Sequence, residues 1–429
     1  MNHRTQFRNV LFGLLALASA WSAAGAQQVI TLPGADQALS GQPQNLFTVG
    51  KEEGQDWEVF SFVPSVAFDG TGNLYVVDRD NGRVLVFGTD GRFVRQIGKK
   101  GQGPGELGLP VGVTILSDGR VAIFDLANAA VQVFGSDGAY QTLARSEPGF
   151  GSVQGGGLAA NPQGGVFMMG GNLRMPGPGQ PPEALDSVPL LLVPVTAGET
   201  RVLFRAPAAK PNINAAGSAG RMEVRVTPPP EFSPSVTWSP LPDGSVAVSW
   251  GQNYDVHVMR PQGALGWTLK RPFTARRTSD RDRENAKQNR RKTLESGGGN
   301  SMRVESVNGR RTTTAGGALP PQQIEQILAN MTFAETVPVV RRLRADREGR
   351  IWIERDGGPG QNEYPIDIVA FNGAYVGTVK GVSLPNAFGP DGRAAFIEAD
   401  DLGVQRVSVR RIPQAWLRPV PRCSPPECR

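Results

Sequence analysis

Beyond its first 26 residues this chain contains one histidine, His257, within the alternating run Tyr254-Asp255-Val256-His257-Val258-Met259. Histidine is the usual proton carrier near neutral pH, so the shortage removes most acid–base schemes and favours a packed strand position for His257. No His-Glu-x-x-His helix, Gly-x-Ser-x-Gly elbow or phosphate-cradling Gly-Lys-Ser/Thr loop occurs. The common signatures of zinc proteases, serine hydrolases and nucleotide-binding proteins are therefore absent. Hard oxygen donors remain: Asp78, Asp80, Asn81, Asp125, Asn128, Asn253, Asp255, Glu354 and Glu398. Gathered together, such groups hold Ca²⁺ or Mg²⁺, and a held cation polarises a carbonyl. Kept apart, each accepts backbone N–H bonds within its own turn.

Cys423 and Cys428 are the only cysteines and stand in Cys-Ser-Pro-Pro-Glu-Cys. Four intervening residues break the redox spacing of a CxxC pair, and two thiols alone leave a zinc site incomplete, so a small disulfide staple is expected. A disulfide needs an oxidising compartment, and the N-terminus supplies an address for one. Arg4 and Arg8 precede the apolar run Val10 to Ala18, and Ala24-Gly25-Ala26 fits a leader cleavage site. Residues 1–26 are expected to be a signal peptide, with the mature chain beginning at Gln27 in the periplasm or outside the cell. No later apolar stretch is long enough to span a bilayer.

The elements that must position these donors follow from a repeat. Asp78 and Asp125, Phe87 and Phe134, Asp90 and Asp137, and Gly91 and Gly138 are each 47 residues apart, a spacing typical of propeller blades. Each unit runs turn, apolar strand, turn, alternating strand, and closes on an Asp-Gly turn suited to a tight hairpin. Gly 54 and Pro 35 in 429 residues suit many short strands joined by turns. Weaker copies of the turn-strand segment recur at Asn161 to Met169, Leu241 to Val248, Asp346 to Ile353 and Pro390 to Ile397, making six units. A lone small sheet exposes two edges and cannot bury both faces, so the units must stack in a ring.

Gly101-Gln102-Gly103-Pro104-Gly105-Glu106-Leu107, together with Val76-Val77-Asp78 and Arg83-Val84-Leu85-Val86-Phe87, resembles the motifs of NHL-repeat propellers, a group of NHL-like and TolB-like exported folds. The resemblance implies an all-β, six-bladed propeller in which the inter-blade loops and the loops after each second strand share one rim. It would also bring Asp78, Asp125, Asn253, Glu354 and Glu398 toward the central channel, where propeller lactonases hold a metal. Closure of the ring is expected from the N-terminus. Leu46 to Lys51 resembles Arg95 to Lys99, the outer strand of unit one, while unit six runs into Pro413 before it has a fourth strand. Residues 46–50 should fill that place.

One stretch interrupts the ring. Residues 273–338 lie between units four and five, and Ile324, Ile327, Leu328 and Met331 fall at helical spacing behind Pro320-Pro321. Between Lys270 and Lys292 ten cations face three acids, a net +7 that exceeds the net +4 of the mature chain. Interleaved acids, a single aromatic, Phe273, at the start of the stretch, and an exported location argue against nucleic acid and favour a solvated helical face. The expected organisation is a leader at 1–26, a propeller at 27–412 with its helical insert at 273–338, and a Pro-rich tail at 413–429. Such a chain would serve as a binding or scaffold module presenting rim loops to a protein, peptide or glycan. The alternative is a metal-dependent enzyme of lactonase or lyase type.

Overall fold

The structure, a computed structural model, describes residues 28–145, 157–174, 183–196, 198–218, 221–295, 302–307, 310–315, 319–359, 361, 364–400 and 403–418. The expected leader and the pair Cys423 and Cys428 lie outside these residues. Six antiparallel blades are arranged in chain order. Blade one comprises Val66–Phe68, Leu74–Asp78, Arg83–Phe87 and Phe93–Ile97, and blade two Pro110–Ile115, Val121–Asp125, Ala130–Phe134 and Tyr140–Arg145. Blade three comprises Leu158–Ala160, Val166–Met169, Ser187–Val193 and Arg201–Pro207, and blade four Thr237–Pro240, Val246–Ser249, Asp255–Met259 and Leu265–Lys270. Blade five comprises Val340–Ala345, Ile351–Arg355, Ile366–Val369 and Tyr375–Val379. Blade six has Ala387–Phe388, Arg393–Ala399 and Gln405–Arg411 from its own sequence, and Gln44–Val49 as its fourth strand.

Strand alternation explains why the blades stack. Leu74, Val76, Leu85 and Phe87 meet Ala395, Val407 and Val409 of blade six, while Tyr75, Val77, Val84 and Val86 meet Val113, Val121, Ile123 and Phe134 of blade two. Residues one apart on a strand point to opposite faces, so each blade is apolar on both sides. The buried side chains of the propeller accordingly fall into six clusters, one for each contact between neighbouring blades. At the inner edge the strand N–H groups still need acceptors. Hydroxyls of the preceding blade supply several: Val113 N–H donates to Ser65 at 3.3 Å, Ala160 to Thr114 at 3.0 Å, Leu343 to Thr237 at 3.0 Å and Ala345 to Ser239 at 2.9 Å.

The N-terminus closes the ring as the sequence suggests, pairing Phe47 with Val409, Thr48 with Ser408 and Val49 with Val407. Phe47 lies over the repeated Asp-Gly turn of blade one, where Gly91 has φ +82° and a Cβ would sit 2.7 Å from the ring. Two further contacts were not foreseen. Gln28–Thr31 adds a fifth, parallel strand to the outer edge of blade four, and Ala38 bridges Thr378 on the outer strand of blade five. Residues 28–49 therefore form a belt along the outer edges of blades four, five and six.

The belt is fastened by a buried ionic network. Arg271, with a fully buried side chain, donates to the carbonyls of Pro33 and Ala35 at 2.7 and 2.9 Å and pairs with Asp36 at 3.0 Å and Asp367 at 2.8 Å. Arg355 reaches both Asp36 oxygens at 2.6 and 2.7 Å, and Asp367 accepts from Thr378 Oγ1 at 2.6 Å. Phe273 lies against both guanidinium groups. Beyond Ile412, Gln414–Trp416 forms a 3₁₀ turn whose Trp416 is buried against Trp352 and donates to Ser40 of the belt at 2.8 Å.

Candidate functional site

Because strands alternate in direction, the end of every second strand and the end of every outer strand reach the same rim. Among the described residues, three long excursions leave that rim from blades three to five. The first, between the second and third strands of blade three, includes the paired segments Leu173–Arg174 and Glu183–Ala184. The second, between blades three and four, is the hairpin Asn212–Ser218 with Arg221–Thr227. The third, between blades four and five, is the helical insert.

The insert starts as a two-stranded stem, Arg276–Arg277 with Thr336–Val337. Helix α1, Asp280–Glu295, follows at once. Ser279 and Asp282 exchange hydrogen bonds at its N-terminus, Ser279 N–H to Asp282 at 2.8 Å and Asp282 N–H to Ser279 Oγ at 3.3 Å, as in a capping box. Only Asp282 and Leu294 of α1 are buried, in keeping with the solvated face expected from its polarity. Hairpin Met302–Val307 with Arg310–Ala315 comes next, and then helix α2, Pro321–Ala329, whose Ile324 and Leu328 pack on Leu294. Arg276 holds the stem to blade five, contacting Asp356 at 2.6 and 3.0 Å while it also grips Asp282 at 2.6 and 2.9 Å. The bond to Asp282, reinforced by Asp356, raises its pKa well above the ordinary arginine value.

The excursions are fastened to one another. Asn172 Nδ2 donates to Ala209 O at 2.9 Å, joining the blade-three loop to the hairpin connection. Glu231 N–H donates to Thr332 O at 2.7 Å and Ala334 N–H to Glu231 O at 2.8 Å, joining that connection to the insert. The rings of Phe232 and Phe333 lie 6.1 Å apart at the same junction. The result is one continuous platform over three adjacent blades.

The hard oxygen donors are placed differently. Asp78 is fully buried and accepts from Ser61 N–H and Oγ, Asn81 and Arg83 at 2.6 to 2.9 Å. Asp125 repeats the arrangement in blade two, accepting from Gly108 N–H at 2.9 Å, Leu109 N–H at 2.8 Å, Ala127 N–H at 3.2 Å and Asn128 at 2.7 Å. Each carboxylate thus ties the incoming inter-blade connection to its own blade. Asp80 pairs with Arg79, and Asp255 with Lys270 at 3.4 Å. Glu354 is gripped by Arg342 at 2.9 and 2.5 Å, and Glu398 by Ser408 and Arg410. Asn253 is exposed on the rim. Among the described residues, no three His, Cys, Asp or Glu side chains gather as a cation site. His257 stacks on Trp250 at 4.2 Å, and burial lowers its pKa below the usual histidine value.

Replacing Asp125 with Ala strands the buried N–H of Leu109 and the part-buried N–H of Gly108 and should cost about 3 kcal/mol. Denaturant unfolding of D125A measures this loss, and a change below about 0.5 kcal/mol would remove the tying role from the repeat carboxylates.

Residues 61–139, which cover blade one and the first three strands of blade two, match the family DUF5128, described as a 6-bladed beta-propeller. Human NHL repeat-containing protein 3 is 37% identical over 70 residues, covering 16% of this chain and 20% of that protein. A gluconolactonase from Xanthomonas campestris aligns over 82% of this chain and 86% of its own at 13% identity, with a TM-score of 0.42. A DUF4221 member from Bacteroides vulgatus aligns over 86% and 98% at 9% identity, with a TM-score of 0.45. Virginiamycin B lyase from Staphylococcus aureus aligns over 82% and 96% at 11% identity, with a TM-score of 0.35. No helix among the described residues is long and apolar enough to cross a membrane. With six blades in chain order and a match to a six-bladed propeller family over residues 61–139, the chain is a six-bladed β-propeller, of which a 70-residue stretch is similar to an NHL-repeat protein.

Proposed function

We propose that this propeller is a binding module whose ligand surface is the rim platform over blades three to five, and that its partner is a protein, peptide or glycan. The observation that carries the reading is the mutual fastening of the three excursions through Asn172, Glu231 and Phe333. Loops that serve only as connections have no need of such ties. Fastened loops on a stacked scaffold form a fixed surface, which lowers the entropy lost on binding. The candidate carboxylates, each engaged by its own partners, fit this reading better than metal-dependent chemistry of lactonase or lyase type. In the same proposal residues 1–26 serve as a removable leader, and the propeller from 27 to 412 works in the periplasm or outside the cell.

Excision of residues 279–334, with a short Gly linker joining Thr278 to Glu335, tests it. Thr278 N–H already donates to Glu335 O at 2.9 Å, so the stem brings the two ends together. The shortened chain should retain its far-UV spectrum and a cooperative melt while losing capture of a partner from extracellular extract or a glycan array. Undiminished capture would contradict the role given to the platform.

A further inference from the structure

Five of the six inner strands carry no charged residue: Val66–Phe68, Pro110–Ile115, Leu158–Ala160, Thr237–Pro240 and Ala387–Phe388. The other, Val340–Ala345 of blade five, reads Val-Arg-Arg-Leu-Arg-Ala. Leu343 turns toward blade four, within the cluster containing Val256 and Leu269. Arg344 is paired in register with Trp352, which packs in the cluster shared with blade six. Residues directly opposite in an antiparallel pair share a face, so Arg344 projects on the blade-six side, inward of Trp352. The inner strand of blade six is only two residues long there, so the channel wall beside Arg344 is short.

The charges on this strand do not balance. Arg341 and Arg342 share the one carboxylate of Glu354, at 3.7 and 2.5 Å. Arg344 forms no ion pair among the described residues, and its Nη1 donates only to the carbonyl of Leu343 at 3.2 Å. Burial first, and the charge of Arg342 second, lower its pKa below the ordinary arginine value. That is the signature of a cation withdrawn from bulk water without a counterion. Yet the side chain is only half-buried, so it still meets the solvent of the channel. An uncompensated guanidinium in such a place is unfavourable, and an oxyanion seated in its planar fork would offset the loss through paired, charge-assisted hydrogen bonds.

We propose that the central channel beside blade five binds a small oxyanion-bearing ligand, a carboxylate or a phosphate, with Arg344 as its direct partner and Arg342 adding attraction from the rim side. This site lies in the channel wall and does not depend on the platform, so excising the insert leaves the prediction in force.

Thermal melts of the full chain at constant ionic strength test it, with chloride exchanged stepwise for inorganic phosphate or for citrate. The parent should show a saturable rise of several degrees in at least one oxyanion, since a ligand bound only by the folded state raises the midpoint. Arg344→Gln should lose that rise, and Arg344→Lys should keep a weakened one, because an ammonium offers charge without the fork. In chloride alone Arg344→Gln should melt no lower than the parent, since it removes an unpaired charge. A preference for phosphate assigns a phosphorylated ligand, and a preference for citrate a carboxylic acid. The proposal is overturned by the absence of any saturable shift, or by an equal shift in Arg344→Gln, which would mean an adventitious ion only. It is equally overturned if Arg344→Gln melts well below the parent in chloride, which would give Arg344 a purely structural role.

Discussion

Deletion of residues 28–49 from the mature chain is expected to abolish cooperative unfolding. Without Gln44–Val49, blade six is left with three strands and an open edge on Gln405–Arg411. Loss of Gln28–Thr31 and Ala38 also uncovers the outer edges of blades four and five, where Gly373, at φ +84°, leaves room for Ile30. A ring whose last blade is incomplete loses the strand pairing between its ends and keeps only scattered side-chain bonds such as those from Val63 N–H to Gln405 and from Arg393 to Thr89 O, so its blades should unfold in separate steps. Denaturant titration followed by tryptophan fluorescence and far-UV circular dichroism distinguishes the outcomes: two non-coincident transitions for the deletion, one shared transition for the parent. A shorter deletion of residues 28–39 keeps the closing strand and should lower stability while leaving the transition single. An unchanged melt for the longer deletion would reject closure by the N-terminus.

The second large effect concerns Asp367, which is fully buried between Arg271 and Arg355. Asp367→Ala removes the carboxylate and leaves two buried guanidinium groups with Asp36 alone, so a loss of about 3–5 kcal/mol is expected. Tyr254 reports on the same place. Its hydroxyl is buried beside Asp367, and burial, then the Asp367 charge, raises its pKa well above the usual tyrosine value. The outer member of the network, Asp36, adds a pH dependence. Burial alone would raise its pKa, but Arg355, Lys380 and Arg271 outweigh that and hold it below the reference 3.8. A carboxyl depressed in the folded state contributes stability that is complete above the unfolded pKa and lost as pH falls through the folded one. The belt contribution should therefore persist at neutral pH and fade below about pH 4, and Asp36→Asn should flatten that part of the acid melting curve. Acid melting of Asp36→Asn that parallels the parent would contradict the role of this pair.

The repeat made much of the fold legible. Where the 47-residue register holds, in blades one and two, Asp78 and Asp125 end their second strands and the Asp-Gly turns follow. The second strands of the other four blades were visible as turn-strand segments, and the likeness of Leu46 to Lys51 to a blade-one outer strand anticipated the closure. The rest of the belt was not legible. Gln28-Val29-Ile30-Thr31 has no counterpart elsewhere in the chain, and a short parallel strand on a sheet edge has no composition of its own. The network it brings with it joins Asp36 to Arg355 across 319 positions, beyond the reach of any local pattern.

The charged run that forms helix α1 reads as a solvated face, which leaves its docking unspecified. The spacing Ser279-x-x-Asp282 carried a start signal, and Arg276 just before it carried the anchor. The platform itself required three-dimensional information. Asn172, Glu231 and Phe333 are scattered over three connections, and nothing in their types marks them as neighbours. The channel charge was hidden for a different reason: Val-Arg-Arg-Leu-Arg-Ala reads as an ordinary edge strand until its innermost place is known.

Hydrogen exchange of the backbone amides in residues 44–49, compared with those of Val407 and Val409, tests the closed ring most directly. In a ring sealed by the N-terminus, the hydrogen-bonded amides of both segments open together at the free energy of global unfolding. Exchange of residues 44–49 within seconds, while their supposed partners on blade six stay protected, would contradict it.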